Sequence, residues 1–119
     1  MSRLHKLAIV GASGAGKTEA ALAHALMAAR RGPVLFICDN DEVARLHRQQ
    51  AQMEPAPKPI VFCGLGRFVM LSAFSEPFQT MVIDTAMTRV TANQVLIFAS
   101  RAAQHHGEAW IVQTHATPS

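Results

Sequence analysis

The sequence predicts an α/β domain built on a mainly parallel sheet. Two observations point there. Five short runs, Leu7 to Val10, Val34 to Cys38, Ile60 to Cys63, Met81 to Ile83 and Trp110 to Gln113, are almost continuously apolar and bounded by turn residues. That pattern is expected of strands buried on both faces, whereas a half-exposed strand alternates. Helical patterns fill the gaps between the runs, and alternating strand and helix implies right-handed crossovers in one sheet.

The elements follow in order. Leu7 to Val10 leads into a glycine-rich loop, and Thr18 to Arg31, rich in Ala and Leu, forms a helix stopped by Gly32-Pro33. After the second strand, Asp39 and Glu42 have the spacing of a capping box before Val43, Ala44 and Leu46. Prolines 55, 57 and 59 exclude helix and mark a short extended connector to the third strand. Arg67 to Phe74 fits a short helix. Thr91 and Gln94 have box-like spacing ahead of Val95, Leu96, Phe98 and Ala99, in a helix expected to end near Gly107.

Composition narrows the function classes. The chain has 119 residues, 50% of them hydrophobic and 16% charged, which excludes a disordered tail and suits a single domain over 1–119. Such a length leaves no room for a second catalytic domain beside the first core. Eleven Lys and Arg against eight Asp and Glu give a net charge of +3, scattered rather than clustered. This permits anionic ligands, and DNA among them, without marking a nucleic-acid face. Cys38 and Cys63 lack CxxC spacing and read as a reduced, buried pair. No apolar run approaches the roughly 18 residues of a membrane span. The basic start is followed by only four apolar residues before the glycine loop, which argues against a signal peptide. The expectation is a cytoplasmic protein with no membrane insertion.

One motif carries chemistry. Gly11-Ala12-Ser13-Gly14-Ala15-Gly16-Lys17-Thr18 matches G-x-x-x-x-G-K-[ST] at every fixed position, between a strand and a helix. Glycines let the backbone curl so that several N–H groups and the positive end of the next helix face a phosphate. Lys17 is then placed to reach the β- and γ-phosphates, and the Thr18 hydroxyl to meet Mg²⁺.

The motif resembles the Walker A sequence of P-loop NTPases. Phe78-Gln79-Thr80-Met81-Val82-Ile83-Asp84 resembles a Walker B segment, in which the acid at the strand tip, here Asp84, serves Mg²⁺. The succession of segments is similar to RecA/DnaB-type ATPase cores. That resemblance implies a three-layer α/β/α fold with strand order 3-2-4-5-1, ATP and Mg²⁺ as ligands, and an acid after the second strand that orients water. Asp39, Asp41 and Glu42 all remain candidates for that acid; acids at a helix start are also favoured by the helix dipole alone. Gln113 or Thr114, at the end of the last run, would lie near the γ-phosphate as a sensor.

Departures limit the likeness. The strands and DNA-binding loops that follow this core in RecA-type proteins have no counterpart here. Position 12 is Ala where partition ATPases carry a lysine, and no NKxD guanine-reading motif is present, which favours ATP. Two alternatives stand beside an ATPase. Cys38 to Arg45 is similar to the Asp-Gly-Asp-x-Val-Arg segment of adenylylsulfate kinases, with Asp39 or Asp41 activating a hydroxyl and Arg45 clamping an anion. Against a kinase, Arg89 and Arg101 are the only arginines beyond Asp84, too few for an arginine-rich lid. The third reading is an ATP-dependent switch with little turnover of its own. In every case the shortness of the chain implies a homo-oligomer or a protein partner.

Other residues read blandly. Arg67, Arg89 and Arg101 could each serve as an arginine finger but equally as surface charge. His105-His106 suits a helix end, His24 suits packing, Met27, Met53, Met70, Met81 and Met87 read as core filler, and Trp110 as a sheet-to-helix contact.

Overall fold

A computed structural model describes residues 3–11, 16–51, 60–70 and 77–116. It contains strand β1 (Arg3–Gly11), helix α1 (Lys17–Ala28), β2 (Val34–Cys38), α2 (Asp41–Ala51), β3 (Ile60–Gly64), α3 (Leu65–Met70), β4 (Thr80–Asp84), α4 (Arg89–His106) and β5 (Glu108–Ala116). Every strand pair is parallel, and the order across the sheet is β1-β5-β4-β2-β3, which is 3-2-4-5-1 from the other edge. The proline connector lies outside the described residues.

Period-two alternation divides the core between the faces of the sheet. Val34, Phe36, Cys38, Phe62, Val82 and Val112 pack with α1 and with Ala44 of α2. Leu35, Ile37, Cys63, Met81, Ile83 and Ile111 pack with Phe68 of α3 and with Val95 and Ala99 of α4. The buried residues of α1 are all alanines, Ala21, Ala25 and Ala28. Their i, i+4, i+7 spacing forms one narrow stripe, and their small side chains let the helix lie close to the strands. Among the described residues, no helix is long and apolar enough to cross a membrane.

Several local expectations are corrected. Strands β1 and β5 run nine residues each, in unbroken register from Arg3↔Glu108 to Gly11↔Ala116. Apolar content alone finds only part of each; in β1, an edge strand is held through its backbone and can carry Arg3, His5 and Lys6. The cap of α2 is Asn40, whose Oδ1 accepts the Val43 N–H at 2.9 Å; Asp39 is not the capping residue. The cap of α4 is Thr88, which accepts the Thr91 N–H at 3.3 Å, so the helix begins before the expected Thr91. Its far end is where the sequence places it, at Gly107 with φ 88°. Helix α1 stops at Ala28, ahead of the expected Arg31. Helix α3 begins at Leu65 instead of Arg67; residues 71–74 lie outside the described set.

Met27 is 66% exposed and is not core filler, whereas Met81 is buried. Met53 and the Met70 side chain lie outside the described set. Trp110 stacks on His5 of the neighbouring strand at 4.9 Å, and the Arg31 guanidinium sits 3.9 Å from its ring centre, so it joins β5 to β1 and to the turn after α1. His105 and His106 do end α4, and the His106 ring meets the Pro77 carbonyl at 2.8 Å.

Phe36 is fully buried and packs on Phe62 at 5.3 Å between ring centres. Phe36→Ala is expected to cost about 3–5 kcal/mol, as a large core truncation does. Met27→Ala is expected to stay within about 0.5 kcal/mol, as exposed substitutions do. Urea denaturation of the two variants checks the contrast.

Candidate functional site

In an all-parallel sheet the C-terminal ends of the strands share one rim, and the helices that follow begin there. Lys17, Thr18, Asp39, Asp41, Glu42, Asp84, Gln113 and Thr114 belong to segments that start or end on that rim. Ala12, Ser13, Gly14 and Ala15 of the glycine loop lie outside the described residues. Gly11, which ends β1, and Gly16, which caps α1, bracket them.

Gly16 has φ 77°, a left-handed conformation that an L side chain adopts only under strain. Its carbonyl accepts the Ala20 N–H at 3.0 Å, and no side chain caps the helix. The first-turn N–H groups of α1 therefore carry the positive end of the helix with no capping side chain against it. Lys17 is half-buried at the first helical position and makes no ion pair with a described residue.

The centre of the rim is a pair of hydroxyls on one carboxylate. The Thr18 hydroxyl donates to one oxygen of Asp84 at 2.7 Å, and the Thr114 hydroxyl donates to the other at 2.9 Å. The Thr114 oxygen also lies 3.4 Å from the Ile83 carbonyl. Ile83 pairs with Gln113, so the next residue along β5, Thr114, falls beside Asp84. Alternation sends Gln113 to the opposite face, where it lines a cavity of about 260 Å³ with Lys6, Met87, Leu96 and His115. Of the two sensor candidates, the structure brings Thr114 to Asp84 and leaves Gln113 apart.

The three acids after β2 fall into different settings. Asp39 accepts the Thr85 hydroxyl at 2.6 Å, which ties the end of β2 to the residue after Asp84. Asp41 accepts the Gly64 N–H at 3.0 Å and so joins α2 to the end of β3. A Cβ at Gly64 would lie 2.5 Å from the Asn40 carbonyl carbon, so only glycine permits this approach. Glu42 is exposed. The Thr85 contact escaped sequence reasoning, although an Asp-Thr pair at a strand end was its signal.

Cys38 sits beneath these acids. Burial pushes its thiol up to about 11, reinforced by the carboxylates of Asp39, Asp84 and Asp41 and partly opposed by the hydrogen bond to Asn40. Burial chiefly pushes Cys63 up to about 12, with Cys38 and Asp41 adding to it and Arg67 opposing. Both cysteines are free and buried.

Among the described residues, no group of three or more His, Cys, Asp or Glu side chains could hold a metal alone. One carboxylate and one hydroxyl suit a hard cation that keeps waters and takes phosphate oxygens, as Mg²⁺ does. A Thr18 hydroxyl that donates its hydrogen bond to Asp84 leaves its oxygen lone pairs for such a cation.

No family model, curated protein or solved structure matches the chain.

Two outcomes follow from the site. Thr114→Val removes a donor from a carboxylate and should lower stability by about 1–3 kcal/mol, read by urea denaturation. Unfolded thiols ionise near 9, well below the folded values of about 11 and 12. Stability from the buried thiols is thus full below pH 9 and lost as pH rises toward 11–12. Thermal melting should fall across that window, and less so in a Cys38→Ala, Cys63→Ala variant.

Proposed function

We propose that this chain binds Mg·ATP at the C-terminal rim and hydrolyses it, as a P-loop NTPase of the RecA/DnaB type acting with a partner or as an oligomer. The observation that carries the reading is the 2.7 Å bond between Thr18 and Asp84, residues 66 apart in sequence. They are the hydroxyl of the glycine-loop motif and the acid of the strand-end motif, and an Mg·nucleotide site needs those two groups together. The strand order 3-2-4-5-1 supports the RecA-type assignment.

In this reading the loop from Gly11 to Gly16, with the uncapped start of α1, binds the phosphates through backbone N–H groups. Lys17 neutralises charge on the β- and γ-phosphates. Thr18 and Asp84 would hold Mg²⁺, which when bound would draw negative charge off the phosphates. Thr114, donating to the second Asp84 oxygen, orients the carboxylate. Asp39 follows Cys38, the register partner of Asp84, and its bond to Thr85 holds it beside Asp84, which favours it as the acid that would accept a proton from water. The Gly64 bond holds Asp41 toward the end of β3 instead, and Glu42 stands farther along α2.

ATP binding and phosphate release by the purified chain test the proposal. Lys17→Ala should lose ATP affinity by about tenfold or more, as the loss of a charge-assisted contact implies. Asp84→Asn should keep most nucleotide binding and lose Mg²⁺-dependent release. ATP affinity unchanged in Lys17→Ala would contradict the site assignment. Tight binding without release by the wild type would favour a switch over an ATPase.

A further inference from the structure

Strand β1 is the outermost strand of the sheet on its side, and among the described residues no strand lies beyond it. Edge strands are usually short, bulged or broken by proline. β1 is nine residues long, contains no proline and keeps unbroken register with β5, so it shows no bulge. It also exposes three large apolar side chains, Leu4 at 36%, Leu7 at 44% and Val10 at 59%.

The backbone phase of β1 is set by one bond. The Arg3 N–H donates to the Gly107 carbonyl at 3.0 Å, on the β5 side. Successive residues of a strand point their N–H and C=O groups to opposite sides, so Arg3, His5, Leu7 and Ile9 bond inward. Leu4, Lys6, Ala8 and Val10 present theirs to the free edge.

We propose that β1 pairs antiparallel with β1 of a second copy of this chain, about a two-fold axis through Leu7 and normal to the sheet. In this register Leu4 lies opposite Val10 of the second copy, and Lys6 opposite Ala8. Leu7 lies opposite Leu7, His5 opposite Ile9, and Arg3 opposite Gly11. All three exposed apolar residues of the strand meet one another, and each basic residue meets an uncharged one. The phase agrees. Leu4–Val10 and Lys6–Ala8 become the hydrogen-bonded pairs, for about eight new backbone bonds across the axis. Leu7–Leu7 becomes a non-hydrogen-bonded pair, where side chains approach most closely.

The neighbouring registers are worse. Sliding one strand by two residues in one direction sets Lys6 against Lys6, a like-charge pair that destabilises a ladder. Sliding it the other way leaves Arg3 and Leu4 with no partner in the strand. Lys6, which guards the edge against indiscriminate pairing, also selects this register. The result is an isologous dimer with one continuous ten-stranded sheet.

Sedimentation velocity and disulfide trapping of the full chain test this. The wild type is expected at twice the chain mass at micromolar concentration. Leu7→Lys places like charges on the axis and is expected as a folded single chain. Leu7→Cys is expected to cross-link to a covalent dimer under mild oxidation, because the Cα separation of a non-hydrogen-bonded pair, about 4.5 Å, lies within disulfide range. Lys6→Cys, opposite Ala8, is expected not to cross-link. The native cysteines are buried and do not compete. A monomeric wild type, a dimeric Leu7→Lys variant, or cross-linking of Lys6→Cys as readily as Leu7→Cys would each overturn the proposal. The trapping result stands even if Leu7→Lys fails to fold.

Discussion

The Asp84 carboxylate is the point on which the functional rim depends. It ends β4 and accepts one hydroxyl hydrogen bond from α1 and another from β5, so three elements distant in sequence meet on two oxygens. Hydrogen bonds to a charged group contribute more than neutral ones, about 1.5–3 kcal/mol each. The bond to Thr18 also sets where the first turn of α1 stands against the sheet. That turn follows Gly16, so the same contact positions the exit of the glycine loop. The support beneath is apolar: Val82 and Ile83, the residues before Asp84, are fully buried on opposite faces.

Much of this was legible in the sequence. The five apolar runs all became strands; β2 and β4 are buried on both faces, as such runs imply, whereas Leu7, Ala8 and Val10 of the first run stay exposed at the sheet edge. The glycine-rich motif and the strand-end acid, picked out by their resemblance to Walker A and Walker B segments, supplied Thr18 and Asp84, which meet. Three kinds of detail were not legible. Backbone pairing at the β1 edge tolerates charge, so the strand extends past its apolar run. Caps depend on which of several adjacent polar residues has the right backbone, which is why Asn40 displaces Asp39 and Thr88 displaces Thr91. Facing depends on the phase of the strand, so Gln113 and Thr114 look alike in sequence and point to opposite faces.

The displaced residues have other work. Freed from capping, Asp39 bonds Thr85 beside Asp84, and Asp41 holds the Gly64 backbone. The two contacts brace the ends of β2, β3 and β4 against one another. They also gather negative charge over the Cys38 thiol, which burial already keeps protonated. β1 contributes at both levels: its last residue opens the glycine loop and its free edge offers a self-complementary ladder. In the proposed antiparallel dimer Gly11 of one copy lies opposite Arg3 of the other, so the two Gly11 residues fall at opposite ends of the paired strands.

The most direct measurement is the thermal midpoint of the wild-type chain with ATP, with and without Mg²⁺. A ligand that binds only the folded state raises stability in proportion to the logarithm of its concentration over Kd. The account predicts a midpoint that climbs with ATP when Mg²⁺ is present and climbs markedly less when EDTA removes it. A midpoint indifferent to Mg·ATP at concentrations far above those of the protein would contradict it.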